Sequence, residues 1–451
     1  MSDKSIVFPW GQGSVALTLP ESWRVLGTLS PREMIADGSV EDSCNAALFA
    51  PIAAQRLAER QLKGKRIVLV SDDHTRPTPV SRFIACVLNE LGKAGVEDAQ
   101  IEILIATGVH RASREDEVEA KLGRPIMGRF AWRCHDAYDA SQLTYLGNTS
   151  RGTYVELNKA LVAADLVICL GAIEPHLLMG FGGGLKMIVP GCASNATIGT
   201  NHMQGVDPQH FDLVGVDTER SPMRLDLEEA AGLLGDKLFI VNAVMNEHGD
   251  PVRFFAGDPR AAHRAGVAFI RQSVGIELPE RADVVLTNSS PLDADFRQSC
   301  KCLGNAMYAA KEGGMLLGCA RAANGLGEFP VPPKSLPYVW LRRLLWLVGQ
   351  QRILPLVRRL KKNEPVEEVF IGHFGLQMLR RNHIGIFSDN LPADLGKKIG
   401  IAQTFTEPQA MIAWAKKVAP KRATVWVLPH GGATFAFCEG DLTGVRVASA
   451  A

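Results

Sequence analysis

Three short apolar stretches of this chain each end in a polar segment, and this pattern constrains the fold more than any other feature. The stretches are 66–72, 100–107 and 165–170. A helical pattern follows the first two, and such alternation is typical of α/β domains with parallel sheets. Parallel strands end at one edge of their sheet. The polar segments DDHTRPTP (72–79), GVHR (108–111) and EPHLLMGFGGGLK (174–186) are therefore predicted to meet there.

The last of these segments opens the densest group of reactive residues in the chain. Residues 174–202 contain His176, Lys186 and His202, with glycines at 180, 182, 183 and 184. Glycine permits positive φ and a close approach of backbone to a ligand. A nucleoside-triphosphate-binding loop of the Walker type has Ser or Thr after its lysine, whereas Met187 stands here. The segment predicts a ligand-binding loop that presents Lys186.

The alternation of strand and helix restarts near residue 275. We predict two α/β domains with mainly parallel sheets, 1–275 and 276–451, and an active site in the cleft between them. The tail, 432–451, is a candidate for packing on the first domain. Local patterns further predict a hairpin at Gly11–Gly13, a helix opened by Ser113, a helix over 296–312 and a strand near Ile399.

Composition excludes several classes of protein. A net charge of +1 gives no general attraction to nucleic acid or to anionic membranes. The N-terminus has no secretory pattern, so a cytoplasmic location is expected. Nine cysteines without a CxxC pair argue against disulfides and thiolate zinc sites. The apolar segment 338–360 is interrupted by arginines and Pro355, which indicates an amphipathic helix and no membrane span.

Five motifs in order make the chain resemble the lactate racemase family, whose members use a nickel-pincer nucleotide. They are DHTRP (73–77), GVHR with His110, EPH...GFGGGLK...PG from 174, His202, and PLDADFRQSCK (291–301). The resemblance implies a 2-hydroxyacid racemase or epimerase. It also implies dependence on other proteins that synthesise and insert the cofactor.

The resemblance also implies a role for each matching residue. Lys186 would bear the cofactor, a pyridinium mononucleotide, through a thioamide-type link, and His202 would bind nickel, for which imidazole is a suitable ligand. His110 and His176 would be the two acid/base residues. Cofactor-binding residues would further include Asp73, Thr75, Gly182, Gly183 and Gly184. Arg76 and Lys301 would hold the substrate carboxylate, with Asp73 and Gln298 organising that pocket. Arg297 departs from the family pattern and is a further candidate for substrate binding.

This set of residues suits the chemistry of racemisation. The α-C–H of a hydroxy acid is too weak an acid for an ordinary histidine to deprotonate. Removal of hydride by a pyridinium is easier while a base takes the hydroxyl proton, and return to the other face inverts the carbon. Two histidines are needed because each enantiomer presents its hydroxyl to a different side. An arginine can hold the carboxylate bidentately.

The substrate and two other functional classes stay open at this point. Arg297 stands where the lactate enzymes commonly have tyrosine, so the substrate could be lactate, a longer aliphatic acid, a malate-like acid or a sugar acid. A zinc hydrolase or lyase could use the same histidines, although none of them forms a short HxH or HxxxH pair. A non-catalytic nucleotide-binding protein is the third class.

Overall fold

The computed structural model describes residues 4–36, 38–205, 214–246, 248–327, 329–331, 337–349, 352 and 366–438. Its strands are β1 (Ser5–Trp10), β2 (Gly13–Thr18), β3 (Arg24–Thr28), β4 (Ile67–Asp72), β5 (Ile101–Ala106), β6 (Ala131–Cys134), β7 (Leu143–Asn148), β8 (Tyr154–Asn158), β9 (Leu166–Ile173), β10 (Pro175–His176), β11 (Gly180–Phe181), β12 (Leu238–Met245), β13 (Pro251–Gly257), β14 (Gly275–Leu278), β15 (Ala282–Asn288), β16 (Ala310–Cys319), β17 (His383–Phe387), β18 (Gln403–Phe405), β19 (Thr424–Leu428) and β20 (Phe435–Cys438).

The α-helices are α1 (Val40–Phe49), α2 (Ile84–Lys93), α3 (Glu115–Leu122), α4 (Arg124–Arg129), α5 (Lys159–Ala163), α6 (Asn195–Gln204), α7 (Pro222–Gly232), α8 (Pro259–Val274), α9 (Phe296–Ser299), α10 (Lys301–Ala306), α11 (Tyr338–Val348), α12 (Val366–Arg381), α13 (Leu395–Ile399) and α14 (Pro408–Val418). Short 3-10 turns are Leu57–Glu59, Val80–Arg82, Asp98–Gln100, Ala140–Gln142, Gly184–Met187, Thr218–Arg220 and Met307–Ala309.

The chain divides into two compact units. The first unit comprises Glu33–Gly205 and Thr218–Gln272, and the second comprises Met1–Arg32, Val206–Asp217 and Ser273–Ala451. Each unit has a six-stranded sheet, and the predicted α/β class with mainly parallel sheets is confirmed.

The sheet of the first unit has the order β13-β12-β9-β4-β5-β6. Only β12 and β13 pair antiparallel; the other neighbours are parallel. Every residue of β4 is buried, as expected for a strand covered on both faces. Helix α2 packs Val87 and Leu91 into the same apolar core. This core fixes the strand ends that carry the polar loops.

Three neighbouring strands, β9, β4 and β5, carry the three polar segments. Their parallel pairing places the carboxyl ends side by side, since Asp72 lies opposite Ala106 and Ser71 opposite Leu170. The predicted meeting of the loops at one sheet edge therefore has its structural basis in this strand order.

The sheet of the second unit has the order β18-β17-β16-β15-β19-β3, with parallel pairing throughout. The first domain was predicted to comprise residues 1–275, and the position of the last strand, β3, shows that its N-terminal part was assigned to the wrong domain. Because β3 pairs with β19, the first 32 residues belong to the second unit. The predicted hairpin is present as β1 and β2.

The described part of the C-terminal tail also belongs to the second unit. Strand β20 pairs in parallel with β14 from Gly275 to Leu278. The tail as far as Cys438 is therefore part of the second unit, and residues 439–451 lie outside the described part of the chain.

Three local predictions were wrong because long-range pairing or turn geometry overrides the local pattern. The helix predicted over 296–312 stops at Ala306, since Ala310 already pairs with Ala282 in the sheet. Ile399 ends a helix, which Gly400 terminates at φ 68°. Helix α3 begins at Glu115 with Arg114 as its N-cap, so the residue predicted to open it is not the cap.

The segment predicted as an amphipathic helix contains α11. Its described face includes the exposed side chains of Trp340 and Trp346, while Leu345 is buried. In the described ranges, no helix is long and apolar enough to cross a membrane.

Candidate active site

The loops after β4 and β5 bring Asp73 and His110 into direct contact. Nδ1 of His110 lies 2.7 Å from Oδ2 of Asp73. The other carboxylate oxygen accepts hydrogen bonds from the backbone N–H and the hydroxyl of Thr75, at 3.1 and 2.6 Å. An ionised carboxylate only accepts hydrogen bonds. Nδ1 of His110 is therefore the protonated nitrogen, and the lone pair of the neutral ring lies on Nε2.

Opposing effects act on the pKa of Asp73. Burial raises it, while the hydrogen bond and charge of His110, the charge of Arg76 and the hydrogen bond of Thr75 lower it. The lowering effects win, and the pKa of Asp73 lies below its usual range. Asp73 therefore remains a carboxylate at neutral pH.

A buried ion pair anchors the loop that carries Asp73. Nζ of Lys121 lies 2.9 Å from Oδ1 of Asp72 and also donates to the carbonyl oxygens of Arg76 and Thr78, at 2.7 and 3.0 Å. The hydroxyl of Thr78 donates to the second oxygen of Asp72. Burial raises the pKa of Asp72, and the Lys121 charge only partly offsets this effect. Lys121 thus ties both ends of the loop to helix α3.

Arg76 makes an ion pair with a residue that follows β9. Its Nη1 lies 3.3 Å from Oε1 of Glu174, and each side chain is 19% exposed. The carbonyl oxygen of Glu174 accepts a hydrogen bond of 2.7 Å from the backbone N–H of Gly182. This contact joins the loop after β4 to the glycine-rich segment.

The glycine-rich segment turns sharply because its positions need glycine. Gly183 and Gly184 have φ values of 76° and 60°. A Cβ atom on Gly183 would lie 2.7 Å from the carbonyl oxygen of Ala172, and one on Gly184 would lie 2.9 Å from the ring of His263. The turn then continues as the short 3-10 helix that contains Lys186, whose side chain is buried.

Three buried side chains hold this turn through its backbone. Oδ1 of Asn242 accepts from the N–H of Gly184 at 2.6 Å, Nη1 of Arg224 donates to the carbonyl of Gly183 at 3.2 Å, and Nε2 of His263 lies 2.8 Å from the carbonyl oxygen of Gly182. Burial and the charge of Arg224 lower the pKa of His263 well below its usual value. His263 is therefore neutral and donates from Nε2.

His176 lies in a two-residue strand, β10, that pairs with β11. Its Nδ1 accepts a hydrogen bond of 3.2 Å from the backbone N–H of Leu178. A neutral ring whose Nδ1 accepts carries its proton on Nε2. His176 therefore has the opposite tautomer from His110.

His202 lies in the last turn of α6, and the side chain of Ser194 caps the start of this helix. Its Nδ1 donates to the carbonyl oxygen of Ile198 at 2.9 Å, so the lone pair of the ring lies on Nε2. A backbone carbonyl on the other nitrogen is a usual second partner of metal-binding histidines. Within the described ranges, no group of three or more His, Cys, Asp or Glu side chains is arranged to share a metal ion.

A close backbone contact joins the His110 loop to the segment between Lys186 and the His202 helix. The N–H of Gly108 donates to the carbonyl oxygen of Gly191 at 2.9 Å. A Cβ atom on Gly108, whose φ is 56°, would lie 3.9 Å from the side chain of Ile198. The structure thus connects the predicted residues of the first unit through their loops.

The predicted substrate residues Arg297, Gln298 and Lys301 lie in the second unit, at helices α9 and α10. Gln298 is 5% exposed, and its backbone N–H donates to the Asp295 side chain at 2.8 Å. Oε1 of Gln298 is buried without a hydrogen-bond partner in the described structure. A buried amide oxygen without a partner is unusual and suits a group that binds a ligand.

Sequence reasoning missed five residues that support these loops. They are Glu174, Lys121, Asn242, Arg224 and His263. Asn242 carried a signal, because it is the one polar residue in the apolar strand LFIVNAVM. His263 and Arg224 lie on helices whose local patterns give no sign of full burial.

The sequence is similar to known proteins over most of its length. Residues 10–211 match the lactate racemase N-terminal domain. Lactate racemase of Thermoanaerobacterium thermosaccharolyticum is 33% identical over 327 residues, which cover 72% of this chain and 76% of that protein. Lactate racemase of Lactiplantibacillus plantarum is 33% identical over 290 residues, or 64% of this chain and 68% of that one.

Two solved structures are similar in fold. The lactate racemase apoprotein from T. thermosaccharolyticum superposes with a TM-score of 0.81 at 28% identity, covering 96% of this chain and 99% of that one. A Thermotoga maritima protein superposes with a TM-score of 0.64 at 16% identity, over 90% of this chain and 100% of that one, and shows the fold alone. With a relative at this identity and coverage, the chain belongs to the lactate racemase family of isomerases.

Proposed function

We propose that this protein inverts the C2 centre of a 2-hydroxy acid, as a racemase or epimerase, with a nickel-pincer nucleotide attached to Lys186. One observation carries the proposal. Asp73 pairs with His110, and Arg76 of the same loop as Asp73 pairs with Glu174, whose carbonyl oxygen binds the glycine-rich segment that leads to Lys186. The names of the relatives support it, since both are lactate racemases. Family membership also favours an isomerase over the zinc hydrolase or the non-catalytic binding protein.

The residues of the first unit fit such a group. Gly183 and Gly184 leave no room for side chains, and three buried polar residues fix the turn, so Lys186 is held at a defined place. His202 presents Nε2 as a nitrogen donor, and imidazole suits nickel. Asp73, Thr75 and Gly182 complete the set of proposed cofactor contacts. When bound, the group supplies an acceptor for the α-hydrogen together with its bonding electrons.

The two histidines divide the proton transfer between them. His110 accepts the hydroxyl proton at Nε2, and the Asp73 carboxylate stabilises the imidazolium that results. His176 acts as the acid in its imidazolium form, which gives the Nε2 proton to the oxygen of the opposite enantiomer as that product forms and is left as a neutral ring. Because Nδ1 also carries a proton in that form, the hydrogen bond from Leu178 to Nδ1 belongs to the neutral form without it. For the reverse reaction the two residues exchange these roles.

Positioning of the substrate falls to cationic and amide groups. Arg76 binds the carboxylate with its planar guanidinium, which favours two parallel hydrogen bonds. Gln298 offers a buried oxygen to a substrate hydroxyl, and Lys301 adds a positive charge for the carboxylate. Arg297 is half-buried and favours a substrate with a second carboxylate or several hydroxyls. We further propose that separate proteins make and insert the cofactor.

Intact mass and metal analysis of the protein, purified from cells that produce the cofactor, test the proposal. We expect an adduct on Lys186, bound nickel and inversion of at least one acid in a panel of 2-hydroxy acids. Lys186→Ala should remove adduct and activity together, while the matched Lys159→Ala, on the first turn of α5, should keep both. Zinc without an adduct, or activity that survives Lys186→Ala, would contradict the proposal.

A further inference from the structure

We infer that Glu174 is a positioning residue for substrate binding, which holds the Arg76 guanidinium in place before the substrate carboxylate arrives. The inference rests on the proposed function for the identity of the ligand. It rests on the structure for the contact itself, which joins two loops of one unit.

The ion pair leaves much of the guanidinium to other partners. Oε1 of Glu174 faces Nη1 of Arg76 at 3.3 Å, so this contact uses one of the three nitrogens. Guanidinium groups bind carboxylates bidentately through a pair of nitrogens on one edge. A one-nitrogen contact can therefore orient the group without replacing the substrate carboxylate.

The surroundings of Glu174 are built around its side chain. A Cβ atom on Gly182 would lie 3.3 Å from Cγ of Glu174 and 3.8 Å from its Oε1. The backbone N–H of Gly182 is also held by the Glu174 carbonyl at 2.7 Å. Glycine at 182 thus leaves room for the carboxylate, and Pro175 fixes the chain on its other side.

The charge balance of the loop supports the same role. Asp73 is already engaged by His110 and Thr75, and its charge interacts with Arg76. Glu174 adds a direct contact that draws Arg76 toward the glycine turn. Without it, the long arginine side chain would sample more rotamers, and substrate binding would have to order it.

Labelling of Arg76 with phenylglyoxal tests the contact in protein without cofactor. This reagent attacks the guanidine, and loss of the partnering carboxylate speeds the reaction. Peptide mass spectrometry of Glu174→Ala should show Arg76 modified about threefold faster, as expected for a partly exposed ion pair of less than 1 kcal/mol. Glu174→Gln retains an oxygen at the same reach and should fall between the two. An unchanged labelling rate would refute the contact.

Kinetics of the cofactor-loaded enzyme test the role. Glu174→Ala should raise KM for the acid it inverts about fivefold with kcat nearly unchanged, the result of a lost orienting interaction. In an Arg76→Lys background the same change should add little, since residues that act through one another are non-additive. A fall in kcat at constant KM, or tighter substrate binding in Glu174→Ala, would overturn the role.

Glu102 provides a matched control. It lies near the start of β5, at the opposite end of the strand from the His110 loop, and contacts Arg133 and Arg66 at 2.6 and 3.1 Å. Its side chain is 20% exposed, close to the value for Glu174. Glu102→Ala should leave both the labelling of Arg76 and KM unchanged. Because labelling needs no cofactor, the labelling experiment would still test the contact between Glu174 and Arg76 if the proposed function were wrong.

Discussion

The loop that carries His110 and the hairpin that carries His176 hold their imidazoles through opposite hydrogen bonds at Nδ1. A buried carboxylate accepts a hydrogen bond from the Nδ1–H of His110, whereas a backbone N–H donates to Nδ1 of His176. The first arrangement leaves a lone pair on Nε2, and the second leaves a proton there. Before any substrate binds, Nε2 of His110 can therefore accept a proton, whereas Nε2 of His176 can donate a hydrogen bond.

Two histidines proposed for the same role therefore have different hydrogen-bond partners at Nδ1. The carboxylate of Asp73 can stabilise a positive charge on His110. The backbone N–H of Leu178 points at Nδ1 of His176 and would oppose a proton on that nitrogen. A racemase passes through both protonation states in every cycle. The tautomers present before substrate binds suit the enantiomer whose hydroxyl faces His110.

Removal of either imidazole should have the largest effect. His110→Ala and His176→Ala should each lower turnover in both directions by about 10²–10⁴, the usual contribution of acid/base groups. The Lys186 adduct should persist in intact mass. His74→Ala is the matched control, since His74 lies on the same loop as Asp73 and contacts Ser113. An unchanged rate in either variant would reject the acid/base role of that histidine.

Asp73→Asn should lower turnover about 10²-fold or more, because an amide no longer fixes the His110 tautomer or stabilises its charged form. The pKa of Asp73 is below its usual range, so the carboxylate stays charged down to about pH 4. Protonation of Asp73 therefore does not cause any fall in the wild-type rate that is seen on the acid side above that pH. The pH dependence of kcat checks both points. A wild-type-like rate in Asp73→Asn would remove the proposed asymmetry.

Burial of His263 should make the free energy of unfolding depend on pH. The pKa of His263 is lowered by burial, so the unfolded chain binds the extra proton first as pH falls. The stability that depends on neutral His263 is complete above about pH 6.5 and is lost as pH falls below that value. Urea unfolding at pH 5.5 and 7.5 should show a smaller difference for His263→Gln than for the wild type. It should also show a loss of about 1–2 kcal/mol at pH 7.5.

A matched change at an exposed histidine is the control for that measurement. His248 lies exposed in the turn between β12 and β13, and His248→Gln should keep the wild-type pH dependence. An equal slope in His263→Gln and the wild type would mean that other groups set the acid sensitivity.

The smallest effect is expected at the half-buried Arg297. Arg297→Tyr should shift the ratio of kcat/KM between malate and lactate toward lactate by about tenfold, the scale of one lost charge-assisted contact. A substrate panel on loaded enzyme measures this ratio. An unchanged ratio would assign Arg297 to a structural role and leave the His110–His176 contrast untouched.

Much of the first unit could be predicted from sequence because its strands are strongly apolar and end in distinctive loops. The strand pair around Asn242, the caps Ser194 and Ser221, and the order of the three polar loops all follow from local patterns. The position of β3 could not be predicted this way. Its partner, β19, lies about 400 residues further along the chain, and no local pattern encodes such a pairing.

Residue types and their spacing were enough to predict the family and the α/β class, and to name candidate site residues. Tertiary structure decided which nitrogen of each histidine carries the proton, the pairing of Arg76 with Glu174, and the burial of His263 and Arg224 behind the glycine turn. The physical reason is distance along the chain. Each of these contacts, apart from the one at His176, joins residues from separate elements, so the charge, burial and hydrogen bonds that define them exist only after folding.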